Sequence, residues 1–311
     1  MLADCADNDL AVDVHLRLGN LSITERDFAA AARSFEQAIA GSDDAADKSY
    51  AIYRQAYALV QRGQPSEAAK RYDRLQREFP NSPYAANATL AAGQSLYRGG
   101  DIDRAADRFS KVLQQNNPVA ATEAAHWLAR IRLSQNNPEE AAKIARRQLD
   151  TGVEGEFAVD LKVDLAEALA LDPATVDQSI SVAESAYRDA PSDALAPRAL
   201  YNAAFSALQV NQYAKAGELA SEFLDRFPQD QLSIDVRFIV AESQLLTGKT
   251  EQAIKNYETL LEKSDGSNVQ RPLWALRTAA AMNAMKQFDR AIALMKNEYK
   301  YFKEPPQKAE A

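Results

Sequence analysis

The sequence is poor in cysteine, histidine, glycine and proline, and it has no long apolar run. Its 311 residues include one cysteine, two histidines, 11 glycines and 12 prolines. A single cysteine excludes an intrachain disulfide and any metal site built from several cysteines. No apolar stretch approaches the ~20 residues that cross a bilayer as a helix, and we expect no membrane span. The start of the chain also lacks the basic and apolar regions of a signal peptide.

An excess of basic charge is also missing. The chain has 36 Lys and Arg against 44 Asp and Glu, which gives a formal net charge of −8. Proteins that bind nucleic acid generally present a basic face that displaces counterions from the phosphate backbone. We therefore expect no nucleic-acid partner, and the acidity most simply keeps an alanine-rich surface soluble.

The residues that usually carry catalysis do not form a recognisable constellation. His15 and His126 lie more than a hundred residues apart, and Cys5 has no histidine near it in sequence to activate it. The chain has no phosphate-binding glycine loop and no His-Glu-x-x-His run. Adjacent carboxylates at 43–44 and 139–140 are interpreted as helix caps, because helix N-termini favour negative charge. We expect no catalytic residue, no metal site and no cofactor.

Alanine is what the sequence has in abundance. It occupies 59 positions, and Leu, Arg, Gln and Glu are also frequent. These side chains lose little conformational freedom in a helix, whereas the β-branched residues that favour strands are scarce. The composition predicts an all-α fold.

A repeat of about 37 residues runs along the chain. Its mark is a small residue followed four positions later by a larger one, most clearly in Ala68 with Tyr72 and Ala105 with Phe109. The small residues recur at intervals of 36 to 38 residues, at Ala31, Ala68, Ala105, Ala141, Ser179, Ala216, Ala253 and Ala291. A small side chain lets two helices cross closely, and the residue one turn later shares its face. Stacked repeats then bury one continuous core that no single repeat could form.

Each repeat is predicted to contain two helices. The break between them has Gly or Asn, which tolerate the left-handed conformation that ends a helix, as at Gly63, Gly100, Asn136 and Gly248. Proline separates several units, because it cannot continue a helix interior. These prolines are Pro80, Pro118, Pro191 and Pro228.

The pattern resembles the tetratricopeptide repeat family over residues 12–302. The family's residues stand in the runs Leu18-Gly19…Phe28…Ala31…Phe35…Ala38 and Gly93…Gly100…Ala105…Phe109. The usual unit has 34 residues, and the links at 77–88 and 225–236 make the units here longer. These links look like those of bacterial envelope members, namely outer-membrane-assembly lipoproteins and TolA-binding periplasmic proteins. The resemblance implies a right-handed α-solenoid of about eight helix hairpins, with no β-sheet.

The resemblance also implies a division of the chain and a compartment. Residues 1–11 would be a tail or the remnant of a preceding repeat, 12–302 the solenoid, and 303–311 a second tail. Ser179 and Ala183 weaken the pattern in the fifth unit, which predicts a seam near 150–180. The expected compartment is the bacterial periplasm or cell envelope, with the cytoplasm as the alternative.

The family binds partners along the inner face of the first helix of each unit. Its offsets, placed on this sequence, predict a partner-binding groove lined by Tyr50, Tyr53, Tyr57, Gln94, Tyr97, His126, Arg130, Tyr201, Phe205, Phe238 and Glu242. Arg98 follows Tyr97 at the next position on the rim of this groove. Tyrosine and arginine dominate binding hot spots. The competing interpretation is that these aromatics pack between repeats.

The leading hypothesis is a non-catalytic scaffold that binds a protein or peptide segment. The alternative is a structural spacer or self-assembly module of a longer multi-repeat protein, and the oligomeric state stays open. The Lys and Asn pattern with which chaperone-binding members hold a C-terminal carboxylate is not matched. The positions where these Lys and Asn residues would stand are occupied by Leu16 and Asn20, Tyr53 and Tyr57, and Leu90 and Gln94.

Overall fold

A computed structural model describes residues 8–115, 117–152 and 156–302, and every structural statement below concerns these residues. They form sixteen α-helices and one 3₁₀ turn, and they contain no strand, which confirms the all-α fold class. The expectations for Cys5 and for the tail 303–311 lie outside the described residues. The helices are α1 (Asn8–Thr24), α2 (Phe28–Gly41), α3 (Ala45–Gln61), α4 (Pro65–Glu78), α5 (Ala85–Arg98), α6 (Ile102–Val112), α7 (Pro118–Ser134), α8 (Pro138–Leu149), α9 (Glu156–Ala170), α10 (Val176–Asp189), α11 (Ala196–Gln209), α12 (Tyr213–Arg226), α13 (Ser233–Leu246), α14 (Thr250–Lys263), α15 (Arg271–Ala284) and α16 (Phe288–Glu298).

The helices follow the predicted two-per-repeat order, and the predicted breaks are confirmed. Gly63, Gly100, Asn136 and Gly248 each have a positive φ between the two helices of a repeat. The same conformation occurs at residues that the sequence did not single out, among them Arg26, with a φ of 60°. There the hairpin geometry outweighs the residue's own preference.

Side-chain caps explain several helix starts. Asp44 accepts hydrogen bonds from the backbone N–H groups of Ala46 at 2.7 Å and Asp47 at 3.0 Å, which confirms its interpretation as a cap. Asn137 caps α8 in the same way, and Pro138 occupies the first turn. Pro118 opens α7 instead of closing the preceding repeat. Helix α1 begins at Asn8, before the expected start of the solenoid at residue 12.

The described chain divides into two compact units. Unit 1 runs to Leu161 and unit 2 begins at Lys162, so the division falls within α9 and within the stretch 150–180. No helix among the described residues is long and apolar enough to cross a membrane.

The core of unit 1 is built on the predicted small and large positions. Ala31, Ala68 and Ala105 are completely buried, as are the rings of Phe35 and Phe109. In unit 2 the equivalent Ser179, Ala216 and Ala253 are also buried. Ser179 satisfies its hydroxyl with the buried hydroxyl of Ser206 at 2.9 Å, so the departure from alanine adds a hydrogen bond.

Candidate functional site

The predicted residues of unit 1 form a row across successive first helices. The Tyr50 hydroxyl in α3 donates to Asn20 Oδ1 in α1 at 2.8 Å. Gln94 in α5 donates to Glu123 in α7, and the ring of His126 lies 6.0 Å from that of Phe157 in α9. We call this row the first-helix face of unit 1. Each of these contacts joins a predicted residue to a neighbouring first helix.

An aromatic cluster lies at the centre of this face. The ring of Tyr53 stacks on Tyr84 at 5.3 Å between centroids and meets Tyr72 edge-on at 5.6 Å. Tyr50 also contacts Tyr84, at 5.7 Å. Burial raises the pKa of Tyr53 above its ordinary value, although the charge of Arg54 opposes the shift. The cluster is therefore partly desolvated, and its rings hold one another in place.

Arg54 extends the cluster toward solvent. Its guanidinium carbon lies 5.9 Å from the ring centroids of both Tyr50 and Tyr57, a distance at which a cation is attracted to a ring face. Its Nε donates to Asn20 Oδ1 at 3.1 Å, which holds the side chain in place. Tyr57 is 38% exposed and forms the accessible edge of the cluster.

A second aromatic group lies along the same face, between α5 and α7. The ring centroid of Tyr97 is 5.2 Å from that of Trp127, which in turn stacks on the buried Phe109 at 6.2 Å. Trp127 donates from Nε1 to Glu123 at 3.3 Å. Arg98 is exposed next to Tyr97, while His126 and Arg130 are half-buried in α7.

Unit 2 has its own aromatic pair on α11. Tyr201 and Phe205 stack with centroids 5.8 Å apart, and Phe205 is 37% exposed. They line a cavity of about 510 Å³ together with Leu171 and Arg198. Burial and the nearby Asp235 carboxylate raise the pKa of Tyr201, and burial raises the pKa of Asp235 itself.

The last two predicted residues lie in the packing of α13. Phe238 is half-buried, with its ring 6.4 Å from that of Tyr257. Glu242 is only 6% exposed, accepts a hydrogen bond from the Tyr257 hydroxyl and pairs with Arg277 at 3.2 Å. Glu242 therefore serves the contacts among α13, α14 and α15, and its carboxylate does not face an open surface.

The exposure of Tyr53, Tyr57 and Tyr97 shows whether these side chains are buried between repeats. Tyr53 and Tyr97 are half-buried and Tyr57 is exposed, so none of the three is enclosed between repeats. Sequence reasoning missed Arg54 and Trp127, which the offsets of the family pattern skip. Arg54 could have been identified from the sequence, because it lies among Tyr50, Tyr53 and Tyr57 in the same helix.

The described part of the chain contains no group of three or more His, Cys, Asp or Glu side chains that could hold a metal ion. The first-helix face of unit 1 and the aromatic pair of α11 in unit 2 present aromatic rings, side-chain amides and guanidinium groups. In general, aromatic rings supply contact area, and arginine orients acidic groups through charge-assisted hydrogen bonds.

These features define an α-helical repeat protein with aromatic faces. The family model of the tetratricopeptide repeat-like domain matches residues 43–190, and that of the tetratricopeptide repeat matches residues 235–267. Both matches support placing the chain in the tetratricopeptide repeat family. They do not distinguish the envelope subgroup that the links at 77–88 and 225–236 suggest. A comparison with curated proteins gives no match.

Solved structures with the same fold include three tetratricopeptide repeat or related proteins at low identity. A tetratricopeptide repeat protein from Parabacteroides merdae is 13% identical, with 84% of this chain and 96% of that chain covered and a TM-score of 0.53. PilF of Pseudomonas aeruginosa is 15% identical, with coverages of 72% and 95% and a TM-score of 0.54. YrrB, a tetratricopeptide repeat protein with an unusual peptide-binding site, is 20% identical, with coverages of 66% and 98% and a TM-score of 0.51. At these identities the likeness shows the fold alone.

Proposed function

We propose that the chain is a non-catalytic scaffold that binds a segment of a partner protein on the first-helix faces of its repeats. Tetratricopeptide repeats typically bind proteins or peptides, and they are generally non-catalytic. The observation that carries the proposal is the cluster of Tyr50, Tyr53 and Tyr84, with the half-buried Arg54 and the exposed Tyr57 at its edge. These rings are held by one another and by Asn20, so little conformational entropy is lost when a partner binds.

The chemistry of this face indicates the kind of partner segment. Exposed aromatic edges suit apolar anchors, and the arginines at positions 54, 98 and 130 add positive charge to an acidic protein. Charge-assisted hydrogen bonds from arginine to carboxylates would orient the segment. We infer an extended or helical partner segment with apolar anchors and acidic residues between them. Because the chain is acidic, nucleic acid is not among the proposed partners.

Unit 2 offers a second region of the same kind. Tyr201 and Phe205 present a stacked aromatic edge beside a cavity, and Arg198 at its rim pairs with Glu167 at 2.5 Å. Phe238 of α13 packs against the ring of Tyr257 in α14. Glu242 is left out of the proposed surface, because its carboxylate is buried and already bonded.

A peptide screen tests the proposal directly. YrrB has a peptide-binding site, which makes peptides a reasonable first ligand class for a chain of this fold. The full chain is screened against a displayed peptide library, and bound peptides are expected to be enriched in apolar and acidic residues. Tyr57→Ala should weaken their binding by about 2 kcal/mol, or roughly thirtyfold in Kd, and leave the melting temperature nearly unchanged.

The matched control is Tyr213→Ala, which removes a half-buried tyrosine from a second helix of unit 2. This variant should keep the affinity of the wild type. Arg130→Glu should slow association and reduce its dependence on salt. Peptides that bind wild type and Tyr57→Ala equally well would show that the first-helix face of unit 1 is not the binding site.

The bacterial periplasm or cell envelope is the proposed compartment, and the cytoplasm is the alternative. The links at 77–88 and 225–236, which look like those of envelope members, support this proposal. Fractionation of the native organism, with an antibody against the chain, tests it. Recovery only with cytoplasmic markers would reject the envelope assignment.

A further inference from the structure

Helix α16 carries an apolar stripe that solvent reaches. Phe288 and Ile292 are each 54% exposed, and Met295 is half-buried. Tyr299, in the 3₁₀ turn directly after α16, continues the stripe and is 50% exposed. The intervals between these four residues are 4, 3 and 4, which is the seam spacing of two helices packed side by side. We call these four residues the α16 seam.

The seam borders a groove of about 770 Å³ between α15 and α16. Ala279 and Ala280 of α15 form part of its lining, and their small side chains leave room for large ones. The groove can therefore accept a helix whose own seam consists of bulky apolar residues. Apolar patches of this kind on a soluble protein mark association sites.

The equivalent position is buried in five of the seven earlier second helices and half-buried in the other two, at Ala142 and Gly217. Alignment of the second helices places Ile292 at the same repeat position as five buried residues, namely Ala32, Ala69, Ala106, Ile180 and Ile254. Ile254, for example, packs against Ala281 and Met282 of the following helix, α15. The α16 seam thus lies where the chain elsewhere buries one repeat against the next.

The charge beside the seam differs from that of most earlier repeats. Where α16 has Lys296, four of the seven earlier second helices have a carboxylate that pairs with a basic side chain on the next second helix, whereas α8 has Arg146. These pairs are Glu36 with Arg71 at 3.3 Å, Asp73 with Arg108 at 2.8 Å, Glu184 with Lys215 at 2.8 Å and Glu258 with Arg290 at 2.7 Å. If a further repeat carried a basic side chain at the place of Arg71 or Arg290, that side chain would lie against Lys296, and the two positive charges would repel each other.

A second copy of the chain does suit this charge pattern. Asp289 and Lys296 lie seven residues apart, on the same flank of the seam. In an antiparallel pair of α16 helices related by a two-fold axis, Asp289 of one copy meets the partner's Lys296, and the reverse pair forms by symmetry. The seam residues meet between these two ion pairs.

We propose that the α15–α16 face joins two copies of this chain as a two-fold dimer, with antiparallel α16 helices and reciprocal Asp289–Lys296 pairs. The apolar seam supplies the area, and the charges fix the antiparallel direction. This surface is separate from the first-helix faces that are proposed to bind partners, so the dimer would present two copies of each.

Docking of the seam onto α1 of another copy is sterically less suited. Leu18 and Leu21 of α1 are 40% and 53% exposed, so they would put large side chains against Ile292. Inside the chain, the helix that covers Ile254 presents the small side chains of Thr278 and Ala281 at the equivalent positions. Two large faces would hold the helices too far apart for close packing.

Sedimentation velocity of the full chain, from about 1 µM to about 100 µM, tests the proposal. The expected mass at high concentration is twice the 34.2 kDa of one chain. Ile292→Asp should raise the dimer Kd at least about thirtyfold. Leu21→Asp is the matched control on α1 and should leave the Kd unchanged. A monomer at every concentration, or dimerisation lost only in Leu21→Asp, would overturn the proposal.

A charge exchange tests the antiparallel arrangement without changing the seam. Asp289→Lys and Lys296→Asp should each weaken dimerisation severalfold, because each places like charges together, and the double variant should restore it. Circular dichroism melting confirms that all the variants fold. A double variant that dimerises no better than the single ones would refute the reciprocal pairing.

Discussion

Two glycines show how closely the helices of a repeat approach. A Cβ atom built on Gly19 would lie 2.7 Å from the ring of Phe35, and one on Gly93 would lie 2.7 Å from the ring of Phe109. Both distances are shorter than any normal van der Waals contact. The glycine of the first helix and the large aromatic of the second helix therefore form one unit of packing.

Gly93→Ala should destabilise the fold by about 1–3 kcal/mol, because the added methyl group overpacks a filled crossing. Ala68→Leu and Ala105→Leu, at completely buried positions, should cost a similar amount. Urea unfolding measures these changes, with the exposed Ala214→Leu as control. Phe109→Leu should relieve part of the cost of Gly93→Ala when the two are combined. Equal midpoints for all variants would mean that the crossing is not tightly packed.

Asp235 should give the stability of unit 2 a specific pH dependence. Burial raises its pKa above the ordinary value of 3.8, so the folded protein holds this proton more tightly than the unfolded chain. The unfolding free energy then falls as the pH rises from 3.8 through the folded-state pKa. Asp235→Asn removes this loss. Its melting temperature relative to wild type should increase between about pH 3 and pH 7, and a constant difference would contradict the assignment.

At the scale of elements, one buried ion pair ties the last two helices together. Arg271 of α15 binds Glu298 of α16 through two nitrogen–oxygen contacts of 2.6 and 2.8 Å. Its remaining nitrogen donates to the backbone oxygens of Leu261 and Ser264, at the end of α14. The guanidinium therefore joins three helices, and both charged side chains are only 9% exposed.

Arg271→Met should destabilise the chain by about 3–5 kcal/mol, because it leaves the Glu298 carboxylate buried without its partner. Thermal and urea unfolding measure the loss. The control is Arg290→Met, whose partner Glu258 lies at the surface, and this change should cost less than about 1 kcal/mol. Similar losses in both variants would show that burial does not govern the strength of these pairs.

The helices were predictable from the sequence because the pattern of a small residue followed four positions later by a larger one recurs in the repeats. The break residues Gly63 and Asn136 followed from the conformations that glycine and asparagine tolerate. The Arg271–Glu298 pair was not predictable, since its partners lie 27 residues apart and outside the repeating pattern. Glu242 had the offset of a groove residue, yet the Tyr257 hydroxyl and Arg277 bury it. Offsets place a residue on a helix, whereas neighbouring helices decide its exposure.

At the scale of the whole molecule, a repeat protein is held by contacts between neighbours. Each hairpin in a unit packs on the next, and cores such as the one around Phe35 and Tyr72 connect adjacent repeats. Stability in such an array is approximately a sum of local terms. Local loss of structure then costs less than global unfolding.

Hydrogen exchange should reveal this local character. Gly93→Ala lies in unit 1 and Arg271→Met in unit 2, and each is expected to lower amide protection mainly in its own unit. The physical reason is that the lost contacts involve only adjacent helices, so distant helices keep their own packing. Mass spectrometry of peptic fragments, under conditions that keep each variant folded, measures protection along the chain. If Gly93→Ala lowered protection equally from α1 to α16, the chain would unfold as one cooperative block, and the nearest-neighbour description would be wrong.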